Sequence, residues 1–177
     1  MQESDRPLHG ARVIPERGSW IELSVTKKDS IVVRIDQSSK IPATTFLRAM
    51  SEEYGTDAAI IRAFHETRKL ATGDLRPEMY LVEAFVDSES GEEIVPAGGQ
   101  IGEQLTRIQA SDAKELEVVE KPADPLMLNT LTEDAADSHD NALLRLYMRL
   151  RPGNPPQLEK ARTLFEEKFY DENRYRL

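Results

Sequence analysis

The chain has 177 residues, 39% of them hydrophobic, with 23 Lys and Arg against 32 Asp and Glu and a net charge of −9. That length supports one domain, or one domain carrying a smaller inserted module, with a core of its own. The absence of cysteine excludes disulfides and thiolate zinc sites and fits a reducing compartment, and no apolar run approaches the ~20 residues of a membrane helix.

In chain order, residues 1–5 are polar and acidic, unlike a signal peptide. Ala11 to Pro15 reads as a short strand. Trp20 to Thr26 alternates apolar and polar residues and reads as a second strand. The polar turn Lys27-Lys28-Asp29-Ser30 leads into the β-branched run Ile31 to Ile35, the return of a hairpin. Pro42 suits the first turn of a helix running to about Met50. Gly55 breaks that helix, and Thr56 caps a second one presenting Ile60, Ile61 and Phe64.

Residues 73–77 read as a linker and Met79 to Val86 as a strand. A turn over 87–91 leads to a returning strand at Glu93-Ile94-Val95. Ile101, Leu105 and Ile108 have helical spacing, and Leu116 to Val119 reads as a strand. The segment 75–120 is therefore expected to be a small β-α-β module. Residues 121–140, rich in Asp, Pro and Ala, are expected to loop back. Ser138 or Asp140 then caps a helix through Leu143, Leu144, Tyr147 and Leu150. The turn Arg151-Pro152-Gly153-Asn154-Pro155-Pro156 separates it from a last helix carrying Leu158, Ala161, Leu164, Phe165 and Phe169.

The expected class is α+β: an N-terminal antiparallel hairpin or small sheet packed on about four helices, with the inserted module between them. The expected division is 1–72 and 125–177 for the core and 75–120 for the module.

The net charge alone argues against a nucleic-acid binder, but its distribution is uneven. Residues 1–50 hold eight Lys/Arg against six Asp/Glu, residues 51–140 seven against 21, and residues 141–177 eight against five. The acidity lies in the middle. If the two mildly basic ends pack together, they make a weakly cationic surface, better suited to one wall of a larger cleft than to binding alone.

Reaction chemistry is sparse. His9, His65 and His139 lack metal-ligand spacing, Gly98-Gly99 lacks the spacing and Lys of a phosphate loop, and no Ser lies in a nucleophile elbow. Glu92-Glu93 reads as a solvated turn. No catalytic residue, metal ligand or cofactor is expected within the chain.

The single tryptophan, Trp20, follows Arg17-Gly18-Ser19 at the mouth of a strand. Two readings stand there: a core plug at the strand end, or a ring turned outward to stack on an unpaired base. Arg12, Arg17 and Arg34 lie in or beside the same hairpin. They would meet phosphates if they share its face with Trp20, and would otherwise be solvated or in surface ion pairs. Arg151 would stand on the same wall, or simply complement a helix C-terminus.

The run Arg12-Val13-Ile14-Pro15-Glu16-Arg17-Gly18-Ser19-Trp20 resembles a signature of the bacterial RNA polymerase beta subunit. Further stretches agree in order: Val33-Arg34-Ile35-Asp36, Lys40-Ile41-Pro42-Ala43-Thr44, Leu47-Arg48-Ala49, Leu146 to Pro156, Leu164-Phe165-Glu166 and Asn173-Arg174-Tyr175. The middle agrees more loosely, mainly at Ser90-Gly91-Glu92. The resemblance points to the lobe, the second domain of that subunit. Since this signature lies well inside a long subunit, Met1 is read as an expression start and the chain as an excised segment.

The resemblance implies a wall of the DNA cleft that contacts the downstream duplex and the non-template strand, with Trp20 stacking on an unpaired base near the transcription start. It implies DNA, the alpha, beta-prime, omega and sigma subunits and possible transcription factors as partners, and a cytoplasmic, nucleoid-associated enzyme. Magnesium and zinc would be bound by another subunit. One departure stands out. Many relatives carry several cations before the Pro of the Lys40-Ile41-Pro42 stretch, where this chain has Gln37-Ser38-Ser39-Lys40. The competing reading is an acidic protein-interaction module that docks transcription regulators, with no direct DNA role.

Overall fold

The computed structural model describes residues 8–177. The reading of residues 1–5 lies outside the described residues, as does the start of the expected 1–72 segment. The N-terminal sheet is a four-stranded antiparallel meander of β1 (Gly10–Val13), β2 (Ile21–Val25), β3 (Ile31–Ile35) and β4 (Ile41–Pro42), paired in chain order. Alternation along β2 and β3 turns Ile21, Val33 and Ile35 into the core and Glu22 and Arg34 to the other face. Register then places Arg12 opposite Glu22, and Glu22 opposite Arg34.

Pro42, at φ −56°, leads straight into α1 (Ala43–Met50). The Thr56 hydroxyl accepts from the Ala59 amide and caps α2 (Asp57–Phe64), as its residue type predicts.

The middle of the chain builds two small sheets. β5 (Arg68–Ala71), β6 (Tyr80–Leu81) and β9 (Glu115–Val119) form one, antiparallel in the order β5-β9-β6, while β7 (Phe85–Val86) and β8 (Glu93–Val95) form a hairpin. The strand expected over 79–86 is therefore two short ones. Leu81 and Val82 are both buried, which breaks alternation, and the Val82 amide donates to Glu117 while Leu81 bonds to the 98–99 turn. β5 has one apolar side chain flanked by Arg68, Lys69 and Ala71, too weak a pattern to read without its partner strand. A short helix, α3 (Leu105–Ala110), buries Ile108 against these strands.

Residues 121–140 are not all loop. They contain α4 (Leu126–Glu133), which buries Met127, Leu128, Thr130 and Leu131. The flanking Asp and Pro residues masked this apolar turn. Ser138 caps α5 (His139–Leu150) by accepting from the Asn141 amide, and α6 (Leu158–Phe169) closes the fold. With six helices and three antiparallel sheets among the described residues, the class is α+β as expected.

The main core joins the two ends of the chain. Val33, Ile35, Phe46 and Ala49 pack on Leu143, Leu146, Ala161 and Phe165. Phe165 and Phe169 stand 4.9 Å apart, and Phe169 meets Phe46 edge-on at 5.4 Å. Such aromatic pairs add about 0.5–1.5 kcal/mol each beyond burial. A second cluster runs through α2, Val82, Val119 and α4, and a third lies within 75–118.

One buried ion pair ties α1 to the residue that ends α4. Arg48, 1% exposed, places Nε 3.1 Å from Asp134 Oδ2, donates to the Gly55 carbonyl and also pairs with Asp57. Asp134 accepts from the hydroxyls of Thr44 and Thr45, each at 2.7 Å, and from the Ala136 amide. Every side of this buried charge is satisfied, the condition under which such a pair is tolerated.

Candidate nucleic-acid interface

The loop between β1 and β2 is held from below by the C-terminal tail. Arg17 and Arg176 exchange backbone hydrogen bonds at 3.2 and 2.9 Å, and Arg17 Nη1 donates to the Asn173 carbonyl. Gly18 has φ +118°, and a Cβ there would stand 2.6 Å from the Tyr175 ring. Only glycine fits both the conformation and the contact.

Trp20 is 46% exposed, so it is not the core plug that its residue type allowed. Its amide donates to Asp36 Oδ1 and its carbonyl accepts from the Asp36 amide. Asp36 sits in the left-handed region at φ 53°. From α6, Lys168 donates to the Ser19 hydroxyl at 2.9 Å and lies 3.5 Å from Asp36 Oδ2. The mouth of the strand is thus fixed from three directions, and the indole ring is left facing solvent.

The other residues singled out from the sequence divide. Arg12 and Arg34 share the outer face of the sheet with Glu22 between them, and alternation puts Trp20 at the end of the same face. Arg12 Nε lies 2.7 Å from Glu22 Oε1. Among the described residues the Arg34 guanidinium has no hydrogen-bond or ion-pair partner, and its Nε is buried. Arg17 is directed to the tail instead. Arg151 lies beyond the last turn of α5, where its Nη1 donates to the Leu150 carbonyl and its amide to the Tyr147 carbonyl. Its neighbour Arg149 reaches the Ser39 hydroxyl at 3.2 Å, on the loop before β4.

Asp36, Glu22 and Lys168 shape this face and were not singled out from the sequence as functional residues. Lys168 is 132 positions from Asp36 and carries no local signal. Glu22 reads locally as an ordinary outward position of a strand.

Elsewhere, His139 Nδ1 stands 2.6 Å from the Arg48 carbonyl, so that nitrogen carries the proton. His65 Nε2 is buried without a hydrogen-bond partner among the described residues, and burial holds this imidazole below its ordinary pKa. Among the described residues no group of three or more His, Cys, Asp or Glu side chains is placed to hold a metal ion, and no helix is long and apolar enough to cross a membrane.

No family model matches the chain. It is 50% identical over 190 aligned positions to the DNA-directed RNA polymerase subunit beta of Rhodopirellula baltica, covering 98% of this chain and 15% of that protein. It is 29% identical over 176 positions to the subunit of the same name from Leptospira biflexa, covering 93% of this chain and 14% of that protein. Its relatives are therefore, by name, subunits of a transcription enzyme, and the α+β unit corresponds to one segment of them. The chain belongs to the beta-subunit family of DNA-directed RNA polymerases and spans about 15% of the length of the curated relatives it matches.

Proposed function

We propose that this chain is the lobe of a bacterial RNA polymerase beta subunit and forms one wall of the DNA cleft, touching the downstream duplex and the non-template strand. The observation that carries this reading is the outward Trp20 ring on a sheet face shared with Arg12 and Arg34. An exposed indole, braced at its backbone, offers a base a stacking platform worth about 1–3 kcal/mol. The parent enzyme would polymerise ribonucleotides on a DNA template in the bacterial cytoplasm, associated with the nucleoid. Magnesium and zinc would be bound by another subunit, and alpha, beta-prime, omega and sigma would complete the assembly. Within the lobe, 1–72 and 125–177 would form the core and 75–120 an inserted acidic module open to transcription factors.

The test places Trp20→Ala in the assembled polymerase and measures binding to a premelted bubble. The expected loss is about 5- to 150-fold, from the stacking energy, with duplex binding largely retained. Unchanged bubble binding, with regulator binding lost on charge reversal at Asp87 and Glu92, would favour the protein-docking reading instead.

A further inference from the structure

A cavity of about 710 Å³ opens between the end of α1, the start of α5 and the second half of α6. It shares no lining residue with the sheet face of Arg12, Glu22 and Arg34. Ala49, Leu143 and Phe165 give it a buried apolar floor, and the exposed Met50 and Tyr170 complete the apolar lining. The Tyr170 hydroxyl donates to the Met50 carbonyl, the last of α1, at 2.6 Å, and its ring lies 5.8 Å from that of Phe165. The ring is therefore held in place by the fold, so a guest does not bear the cost of ordering it.

The polar lining is acidic: Glu52, Glu166, Glu167 and Asp171 face a single cation, Arg162. Arg162 is already paired with Asp140 at 2.8 Å and Glu159 at 3.7 Å. Glu167 and Asp171 share Arg174, at 2.8 and 3.5 Å. The carboxylates of Glu52 and Glu166 make no hydrogen bond or ion pair among the described residues, and Glu52 acts on Arg162 only at a distance. Six carboxylates thus stand against two guanidiniums in and around the cavity. Such an excess repels phosphate and attracts a cation. An apolar floor, an aromatic wall and free carboxylates together suit a side chain with an apolar stem and a cationic head.

We propose that this cavity docks a basic peptide segment of a partner protein, seating one arginine side chain against Tyr170 with its guanidinium paired to Glu166. A planar guanidinium stacks on an aromatic ring and forks to a carboxylate at once, which an ammonium does not. The proposal rests neither on the DNA contact nor on the 75–120 module, since the cavity is built by α1, α5 and α6.

The test uses the 177-residue chain with methyl-labelled methionine, whose five methionines report separately by NMR. Two capped peptides are titrated, Gly-Leu-Arg-Leu-Gly and the same sequence with neutral citrulline in place of arginine. The arginine peptide is expected to shift the Met50 methyl saturably, and the citrulline peptide to bind about 10-fold more weakly or less, having lost a charge-assisted hydrogen bond. Glu166→Gln is expected to weaken the arginine peptide about 2- to 5-fold, the share of one exposed charge pair. Glu103→Gln removes the same charge from a residue outside the cavity and is expected to change nothing. The absence of a saturable Met50 shift at millimolar peptide overturns the proposal, as does equal binding of the citrulline peptide. Equal weakening by Glu103→Gln overturns it too, by reducing the effect to net charge. In the assembled polymerase, a Met50 methyl already displaced and unmoved by peptide would give the cavity to a neighbouring segment of the enzyme and overturn it as well.

Discussion

Trp20 and Asp36 hold each other's backbones: the Trp20 amide donates to Asp36 Oδ1 at 3.0 Å, and the Asp36 amide donates to the Trp20 carbonyl at 2.8 Å. The exchange ends the β2–β3 ladder with a side chain in place of a further strand residue. It needs an acceptor on a short side chain in left-handed backbone, which Asp and Asn tolerate best. Asp36→Ala should therefore cost about 1–2 kcal/mol, read as a lowered urea midpoint. Asp36→Asn keeps the acceptor and should stay near wild type in stability. The Trp20 anisotropy decay should show a more mobile ring in the alanine variant and not in the asparagine one.

The tail contact at Gly18 predicts a second effect. Gly18→Ala sets a Cβ against Tyr175 and forces an L-residue to φ +118°. The expected cost is about 1–3 kcal/mol, measured by denaturant unfolding. Shortening Tyr175 to Ala in the same chain should recover only the part due to the ring, because the close approach to the Arg174 carbonyl, 3.0 Å, and the backbone strain remain.

Arg48 and Asp134 carry the largest expected loss. Asp134→Ala leaves a guanidinium buried without that counter-ion and leaves the Thr44 and Thr45 hydroxyls without their acceptor. Breaking a buried pair from one side costs about 3–5 kcal/mol. Equilibrium unfolding should show it, and an Arg48→Met, Asp134→Leu double variant should lose less than the sum of its single changes.

Glu117 gives a pH-dependent signature. The hydrogen bonds from Arg62, which bridges Glu117 from α2, and from Thr67 hold its carboxyl at about 2, below its ordinary 4.5, against the opposing effect of burial. A carboxylate whose folded pKa is depressed contributes stability above the unfolded value. That contribution is lost as pH falls through the folded value. The stability gap between wild type and Glu117→Gln should thus be full above pH 4.5, shrink below it and be nearly gone at pH 2. Because Arg62 is about half exposed, the gap itself should be about 1 kcal/mol. Urea midpoints across pH 2–6 measure it.

Much of the framework was legible locally. Thr56 and Ser138 announced their helices because a hydroxyl at an N-cap satisfies an otherwise free amide within three residues. The alternation in β2 and the β-branched run of β3 announced a hairpin because one face had to be buried. α4 and β5 were less legible. α4 is an eight-residue helix whose N-cap residue is Pro125, so its first amide, at Leu126, is met from one residue earlier by Asp124 Oδ1. β5 takes its strand identity from pairing with β9, some 45 positions away.

The sequence by itself determined the class of fold, the hairpin of β2 and β3, and the likeness to beta subunits, because periodicity and motif are properties of neighbours along the chain. Only the tertiary structure decided that Trp20 is exposed, that Arg12, Glu22 and Arg34 line up across one face, that Arg17 is tied to the tail while Arg34 has no partner among the described residues, and that Lys168 braces Asp36. Exposure and pairing depend on which distant segments arrive at a site. Here the two ends of the chain meet across 130 or more residues, a distance over which no local pattern extends.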